Sequence, residues 1–269
     1  MTAPRKYRWI ALDLDDTLLG PDRMVGPRAR DAVRLVQDNG GLAVLATGRP
    51  YASAEAFARQ LGLTGPVIAN SGAVIGRPGG TLIRELFLDP DLVGEALDDA
   101  ASRNLVAYVY TRGRTAATRE HDDTARYARI LDIPIAVDDR PDVRGVYVVC
   151  LRVPPGDGDR IEAELRDRLG SRAIVLRSLP SLIEILPRGA TKGEALKHLA
   201  GLCDLSMGQL VAVGDGPGDL DMLEAAGFGV LVANAPEPLW ERADAVTEAP
   251  YDGGVLEVVR RLFTGQPGT

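Results

Sequence analysis

Trp9-Ile10-Ala11-Leu12-Asp13-Leu14-Asp15-Asp16-Thr17 is a short apolar run that breaks into carboxylates. A run without polar alternation reads as a strand buried on both faces, and the aspartates mark its carboxyl end. Downstream, Arg28 to Asn39 carries Ala29, Ala32, Val33 and Val36 at helical spacing. Pro27 stands near its start and Gly40 just past its end, where each residue costs a helix least. Leu42 to Ala46 is a second buried strand, followed by Thr47-Gly48-Arg49-Pro50 and an alanine-rich helix to about Leu61, and Val67 to Ala69 is a third strand. Buried strands joined by helices imply a parallel sheet, because parallel neighbours need a crossover.

The pattern changes between Arg84 and about Leu186. Helices at Pro90 to Arg103, Asp123 to Leu131 and Asp159 to Leu169 stand among strands at Leu105 to Thr111, Val143 to Val153, Ala173 to Ser178 and Ser181 to Leu186. A turn at Arg112-Gly113-Arg114 leads into a short return strand. Helices set against a largely antiparallel sheet form a different class from the first block. After Pro187 the alternation resumes, with a helix from Thr191 to about Leu202, a strand Leu210 to Val213, a helix Asp219 to Ala226, a strand Gly229 to Val232 and a last helix Gly253 to Phe263. The expected organisation is a parallel-sheet core from residues 1–83 and 187–269 sharing one sheet, with an α+β domain, residues 84–186, inserted between.

The 269 residues carry 31 Lys plus Arg against 38 Asp plus Glu, a net charge of −7 that argues against a nucleic-acid groove. Only Lys6, Lys192 and Lys197 are lysines, so nearly all the cations are arginine. Cys150 and Cys203 cannot make a four-cysteine zinc site or a disulfide framework, and His121 and His198 are too few for a three-histidine centre. Catalysis is therefore expected to run on carboxylates. The uncharged stretch Gln60 to Gly76 is broken by glycines, Pro66 and Asn70, a poor membrane span. A cytoplasmic protein, monomer or small homo-oligomer, without membrane or nucleic-acid partners, is the expectation.

Four constellations carry chemistry. Asp13 and Asp15 are two apart, so in a regular strand they would face opposite ways, and the chain must leave extended geometry for both to serve one site. Val213-Gly214-Asp215-Gly216-Pro217-Gly218-Asp219-Leu220-Asp221 again follows an apolar run; it lacks the third glycine of a dinucleotide fingerprint and the lysine of a Walker loop. What remains is an oxygen site for a hard cation, with Asp221 the most readily explained as a helix-start residue. Thr47-Gly48-Arg49 offers a hydroxyl and N–H groups at a helix start, and Lys192 opens a helix against its dipole, which hints at an anionic partner. Two aspartates about 4 Å apart repel by roughly 4 kcal/mol at an effective dielectric near 20, and a divalent cation reverses that term.

In this order, Asp13-x-Asp15-x-Thr17, Thr47-Gly48-Arg49, Thr191-Lys192-Gly193 and Gly214-Asp215-x-x-x-Asp219 resemble the four motifs of the haloacid dehalogenase superfamily of phosphohydrolases. The insertion resembles the large α/β cap of its Cof-type branch, and Asn70-Ser71-Gly72-Ala73, Ala233-Asn234-Ala235 and Asp252-Gly253-Gly254-Val255 are further echoes. The resemblance implies a Rossmann-like core and a Mg2+-dependent phosphatase for a small phosphorylated metabolite such as a sugar phosphate. By that resemblance Asp13 is nucleophile and metal ligand. Asp15 is acid and base, with its carbonyl on the metal. Asp215 and Asp219 complete the metal site, Asp219 directly or through water. Thr47, Gly48 N–H, Asp16 N–H and Lys192 hold the phosphoryl group. Arg49, Arg112 and Arg114 are candidate substrate contacts. Asp16 departs from the family's frequent glycine, and Gly218 from its common asparagine. Competing readings are a phosphoglycoside or nucleotide-precursor phosphatase, a phosphomutase, a phospho-acceptor receiver, or a silent binding module.

Overall fold

The computed structural model describes residues 6–264. Along the chain the strands are β1 (Trp9–Leu12), β2 (Leu42–Ala46), β3 (Val67–Ala69), β4 (Val74–Gly76), β5 (Leu82–Glu85), β6 (Val106–Thr111), β7 (Thr115–Ala117), β8 (Ile135–Val137), β9 (Val146–Arg152), β10 (Ala173–Leu179), β11 (Leu182–Pro187), β12 (Leu210–Gly214), β13 (Phe228–Leu231) and β14 (Ala245–Val246). The helices are α1 (Pro27–Asp38), α2 (Tyr51–Gln60), α3 (Pro90–Ser102), α4 (Thr124–Leu131), α5 (Gly158–Leu169), α6 (Lys192–Cys203), α7 (Leu220–Ala225) and α8 (Tyr251–Val259). The larger sheet has the order β14-β13-β12-β1-β2-β3-β4-β5 and the smaller β10-β11-β9-β6-β7-β8.

β1 lies between two strands that are distant in sequence. Leu12 pairs in register with Leu45 of β2 and with Val213 of β12, both parallel. β1 therefore joins strands from before and after the insertion in one sheet. Carboxyl ends of parallel strands beside a reversal of strand order are where open α/β sheets bind ligands, and here Asp13, Thr47 and Asp215 follow those ends. Trp9, Ala11, Val44 and Ala212 bury one face with Leu196 and Leu199 of α6 and Met222 of α7. Ile10, Leu12, Leu45 and Val213 bury the other with Val33 of α1, Phe57 of α2 and Val255 of α8. This is a Rossmann-like α/β core.

The larger sheet is not wholly parallel. β4 and β5 add antiparallel at its edge, and with only three and four residues they were too short to register as periodic runs. In the smaller sheet β8, another three-residue strand, pairs parallel with β7, while the remaining pairs are antiparallel. Val109, Val149, Ile183 and Ile185 on one face of that sheet pack with Leu92 and Val93 of α3 and Leu165 of α5. Val106, Tyr108, Cys150 and Leu182 on its other face share a buried cluster with the core residues Leu14 and Ala69. β10 also lies against the turn Pro217–Asp219. That turn is a short 3-10 segment, and α7 begins at Leu220, one residue after the expected start at Asp219.

Candidate active site

β1 ends at Leu12, and the chain then leaves extended geometry as the paired aspartates require. Asp13 N–H still donates to the Val213 carbonyl at 3.0 Å, but the Leu14 carbonyl turns to accept from Leu18 and Leu19 N–H at 3.0 and 2.8 Å. Asp16 makes this bend at φ +59°, the left-handed region that costs a residue with a Cβ about 1 kcal/mol or more and suits glycine. Asp16 is held there from two sides. Its carbonyl accepts from Asn234 Nδ2 at 2.8 Å, and its carboxylate pairs with Arg23 at 3.3 Å.

Lys192 is the centre of the charge arrangement. It occupies the first turn of α6, after Thr191, whose hydroxyl caps the helix by accepting from Glu194 N–H at 3.1 Å. The buried ammonium donates to Asp13 Oδ1 and Asp219 Oδ1, each at 2.6 Å. Burial opposes its charge, but the two carboxylates hold it protonated well above the usual lysine range. Asp219 Oδ2 meanwhile accepts from the N–H groups of Asp215 and Gly216, both at 3.0 Å. Its carboxylate thus shapes the turn and aims Lys192. Thr17 donates to Asp215 Oδ1 at 2.9 Å, and Asp221 accepts from Gly193 N–H at 2.8 Å, a structural task that matches its reading from sequence.

Asp15 belongs to a separate clamp. Buried Arg49 grips it through two parallel bonds of 2.7 Å, donates to Ser53 at 3.2 Å and stacks 4.6 Å over the Phe57 ring. Arg23 adds a further bond to Asp15 at 2.5 Å. Burial alone would raise the Asp15 pKa, but Arg49 and then Arg23 overcome it and hold the carboxyl below its usual range. Arg112 is exposed and pairs with Glu85, and Arg114 pairs with Asp138 at 2.7 Å. Thr47 hydroxyl accepts from Arg49 N–H at 3.2 Å, which closes the turn that presents Gly48. A side chain at Gly218 would meet open space, so nothing in the packing excludes an asparagine there.

Carboxylate oxygens of Asp13, Asp215 and Asp219 lie within 4.8 Å of one another. Asp15 stands outside this cluster, its carboxylate engaged by the arginines. Burial raises Asp13 to about 7, with Lys192 opposing and Asp219 adding to the rise. Burial, then the charges of Asp13 and Asp219, raises Asp215 to about 9. Five aspartates face three cations, Lys192, Arg49 and Arg23. That surplus of oxygen donors and negative charge fits a hard divalent cation such as Mg2+.

The crowding has a testable consequence. An acid whose folded pKa is raised binds more protons in the native than in the unfolded state, so stability is present below the unfolded pKa and lost as pH rises through the folded one. For Asp13 and Asp215 that window runs from about 4 to about 9. Mg2+ at 100 times its Kd stabilises by about 2.7 kcal/mol. The Mg2+-induced rise in Tm is therefore expected to grow between pH 6 and pH 9, measured by thermal melts in matched buffers. A rise that shrinks with pH would contradict the carboxylate cluster as the metal site.

Residues 10–259 match the family model of haloacid dehalogenase-like hydrolases, and the chain belongs to that family. It is 26% identical to the 5-amino-6-(5-phospho-D-ribitylamino)uracil phosphatase YwtE of Bacillus subtilis, over 96% of this chain and 98% of the relative. It is 28% identical to the HMP-PP phosphatase of Serratia proteamaculans, over 85% of each. A haloacid dehalogenase-like hydrolase from Bacteroides thetaiotaomicron superposes with a TM-score of 0.85 at 28% identity, covering 96% of this chain and all, 100%, of that one. The family and class of enzyme expected from the motifs, a phosphatase with this fold, are the ones these relatives represent.

Proposed function

We propose that the protein is a Mg2+-dependent phosphatase that hydrolyses small phosphomonoesters of the sugar-phosphate kind through an aspartyl-phosphate on Asp13. The observation that carries the reading is Lys192, a buried cation shared at 2.6 Å between Asp13 and Asp219 beside Asp215. Asp13, Asp215 and the Asp15 carbonyl would hold the metal, with Asp219 completing the site directly or through water while it fixes the turn. Bound there, Mg2+ would neutralise clustered carboxylates and polarise a phosphoryl oxygen.

In the first half-reaction an Asp13 carboxylate oxygen forms a bond to phosphorus while the bond from phosphorus to the leaving oxygen breaks. Asp15 delivers a proton to that oxygen, a step that requires its carboxyl to take up a proton and leave the arginine clamp that holds it ionised here. In the second half Asp15 removes a proton from water, whose oxygen attacks phosphorus and releases Asp13 with inorganic phosphate. Arg49 favours the Asp15 carboxylate, the form that takes the proton in the second half, and Thr47, Gly48 N–H, Asp16 N–H and Lys192 surround the phosphoryl oxygens. The smaller sheet, residues 84–186 in the sequence reading, acts as a cap that excludes water and selects the leaving group.

A panel of phosphomonoesters, including a chromogenic one, assayed with Mg2+ and with chelator tests this. Hydrolysis is expected with Mg2+ and a loss of at least about 100-fold with chelator. No hydrolysis of any monoester would overturn the reading, and a phosphoprotein stable for many minutes would favour the receiver alternative.

A further inference from the structure

Asn70, Ser71 and Gly72 form a buried turn in which three successive residues hold positive φ, +52°, +55° and +105°. Asparagine and serine are strained there, so the surroundings must hold them. Ser71 N–H donates to the Thr47 carbonyl at 3.2 Å and Asn70 N–H to the Arg49 carbonyl at 2.8 Å, which ties the turn to the phosphate loop. Gly72 lies so close to Thr191 that a Cβ would meet its carbonyl oxygen at 2.3 Å, which ties the turn to the residue before Lys192. Asn70 Oδ1 also accepts from Tyr51 N–H at 3.1 Å, and a further hold comes from the other sheet. Ser71 Oγ donates to Glu184 Oε2 on β11 at 2.6 Å.

Glu184 is buried, is also hydrogen-bonded by Ser178 and feels the charge of Lys192. Its other oxygen lies 3.8 Å from where a Cβ on Gly48 would stand. Asn70 Nδ2 is a buried amide donor without a hydrogen-bond partner among the described residues. Backbone strain together with an unmet donor marks a segment kept in place by what packs on it.

We propose that Glu184 is a positioning residue that couples closure of the smaller sheet to phosphate binding. Its hydrogen bond to Ser71 clamps the strained turn, and the turn sets Thr47 on one side and Thr191 with Lys192 on the other. When β11 lifts away, Ser71 loses its acceptor, the turn relaxes and the phosphate loop loses its support. This role deepens the phosphatase reading and rests on it.

The test compares Glu184→Ala, Glu184→Gln, Ser71→Ala and the double variant Ser71→Ala/Glu184→Ala in the full chain with Mg2+. Hydrolysis of the chromogenic monoester by wild type is judged first, so failure of the phosphatase reading is seen separately. The readouts are KM, kcat and inhibition by inorganic phosphate. Glu184→Ala and Ser71→Ala are each expected to raise KM and the phosphate inhibition constant by about tenfold, with kcat changed less. The double variant should match either single one, because all three lose the same bond. Glu184→Gln, which still accepts the serine proton, should recover most of the loss. Unchanged phosphate inhibition in both alanine variants, losses that multiply in the double variant, or a glutamine variant as impaired as alanine would each overturn the proposal. Should Glu184→Ala fail to fold, Ser71→Ala against Glu184→Gln carries the same decision.

Discussion

Asp13→Asn is expected to lower kcat for a chromogenic phosphomonoester by at least about 10³-fold while raising the Tm of the metal-free protein. The loss follows because an amide cannot form the bond to phosphorus that a carboxylate oxygen forms. The gain follows because Asp13 sits buried beside Asp219 and Asp15, where burial pushes its pKa up to about 7. Near pH 8 the ionised acid works against folding, and a neutral isostere removes that burden while its carbonyl still accepts from Lys192. A stabilisation of about 1–2 kcal/mol is the expected size. Activity and melting should thus move in opposite directions. Activity within tenfold of wild type would remove Asp13 as nucleophile, and a lower Tm at pH 8 would mean that the cluster is not strained by like charge.

Lys192→Met should lower both quantities together. Removing one partner of a buried ion pair costs about 3–5 kcal/mol, because the remaining charge is left unmatched. Here two carboxylates are left, those of Asp13 and Asp219, each 2.6 Å from the lost ammonium. The deficit is expected to be larger at pH 9 than at pH 6, since at low pH the orphaned Asp13 takes up a proton, and Mg2+ should restore part of it. Activity should fall by about 10²–10³-fold through the lost contact to the phosphoryl group. Melts at the two pH values, with and without Mg2+, together with kcat/KM, check this. A variant equally stable at pH 6 and pH 9 would show that Lys192 is not the counter-ion of the cluster.

Much of this site was legible because strand ends announce themselves. Asp13, Thr47 and Asp215 each follow an uninterrupted apolar run, and a parallel sheet puts such ends on one edge. Lys192 stood out for a local reason, a cation in a helix first turn in a chain with few lysines. Arg23 and Glu184 gave no such signal. Arg23 is a loop cation whose meeting with Asp15 depends on the backbone bend at Asp16, and Glu184 meets Ser71 across 113 positions of sequence. Contacts of that kind are made by topology and leave no periodicity behind. The short strands β4, β5 and β8 escaped because three or four residues cannot display a period of two convincingly. Asp219 illustrates a subtler limit. Its presence was plain, but its three hydrogen bonds to Lys192, Asp215 and Gly216 are visible only in the folded turn.

The central place of β1 has a consequence for biosynthesis. Its partner β2 emerges from the ribosome soon after it, but β12 is made only after the whole of the smaller sheet. Until then the Trp9–Leu12 edge lacks its second neighbour, an apolar strand open to pairing with another chain. The nascent chain also lacks Lys192 and Asp215 for this interval, and on the proposed phosphatase reading it is inactive until both are translated. The insertion buries one face within itself around Val149 and Leu165, but its other face shares a cluster with Leu14 and Ala69, so that face too stays open until the larger sheet is complete.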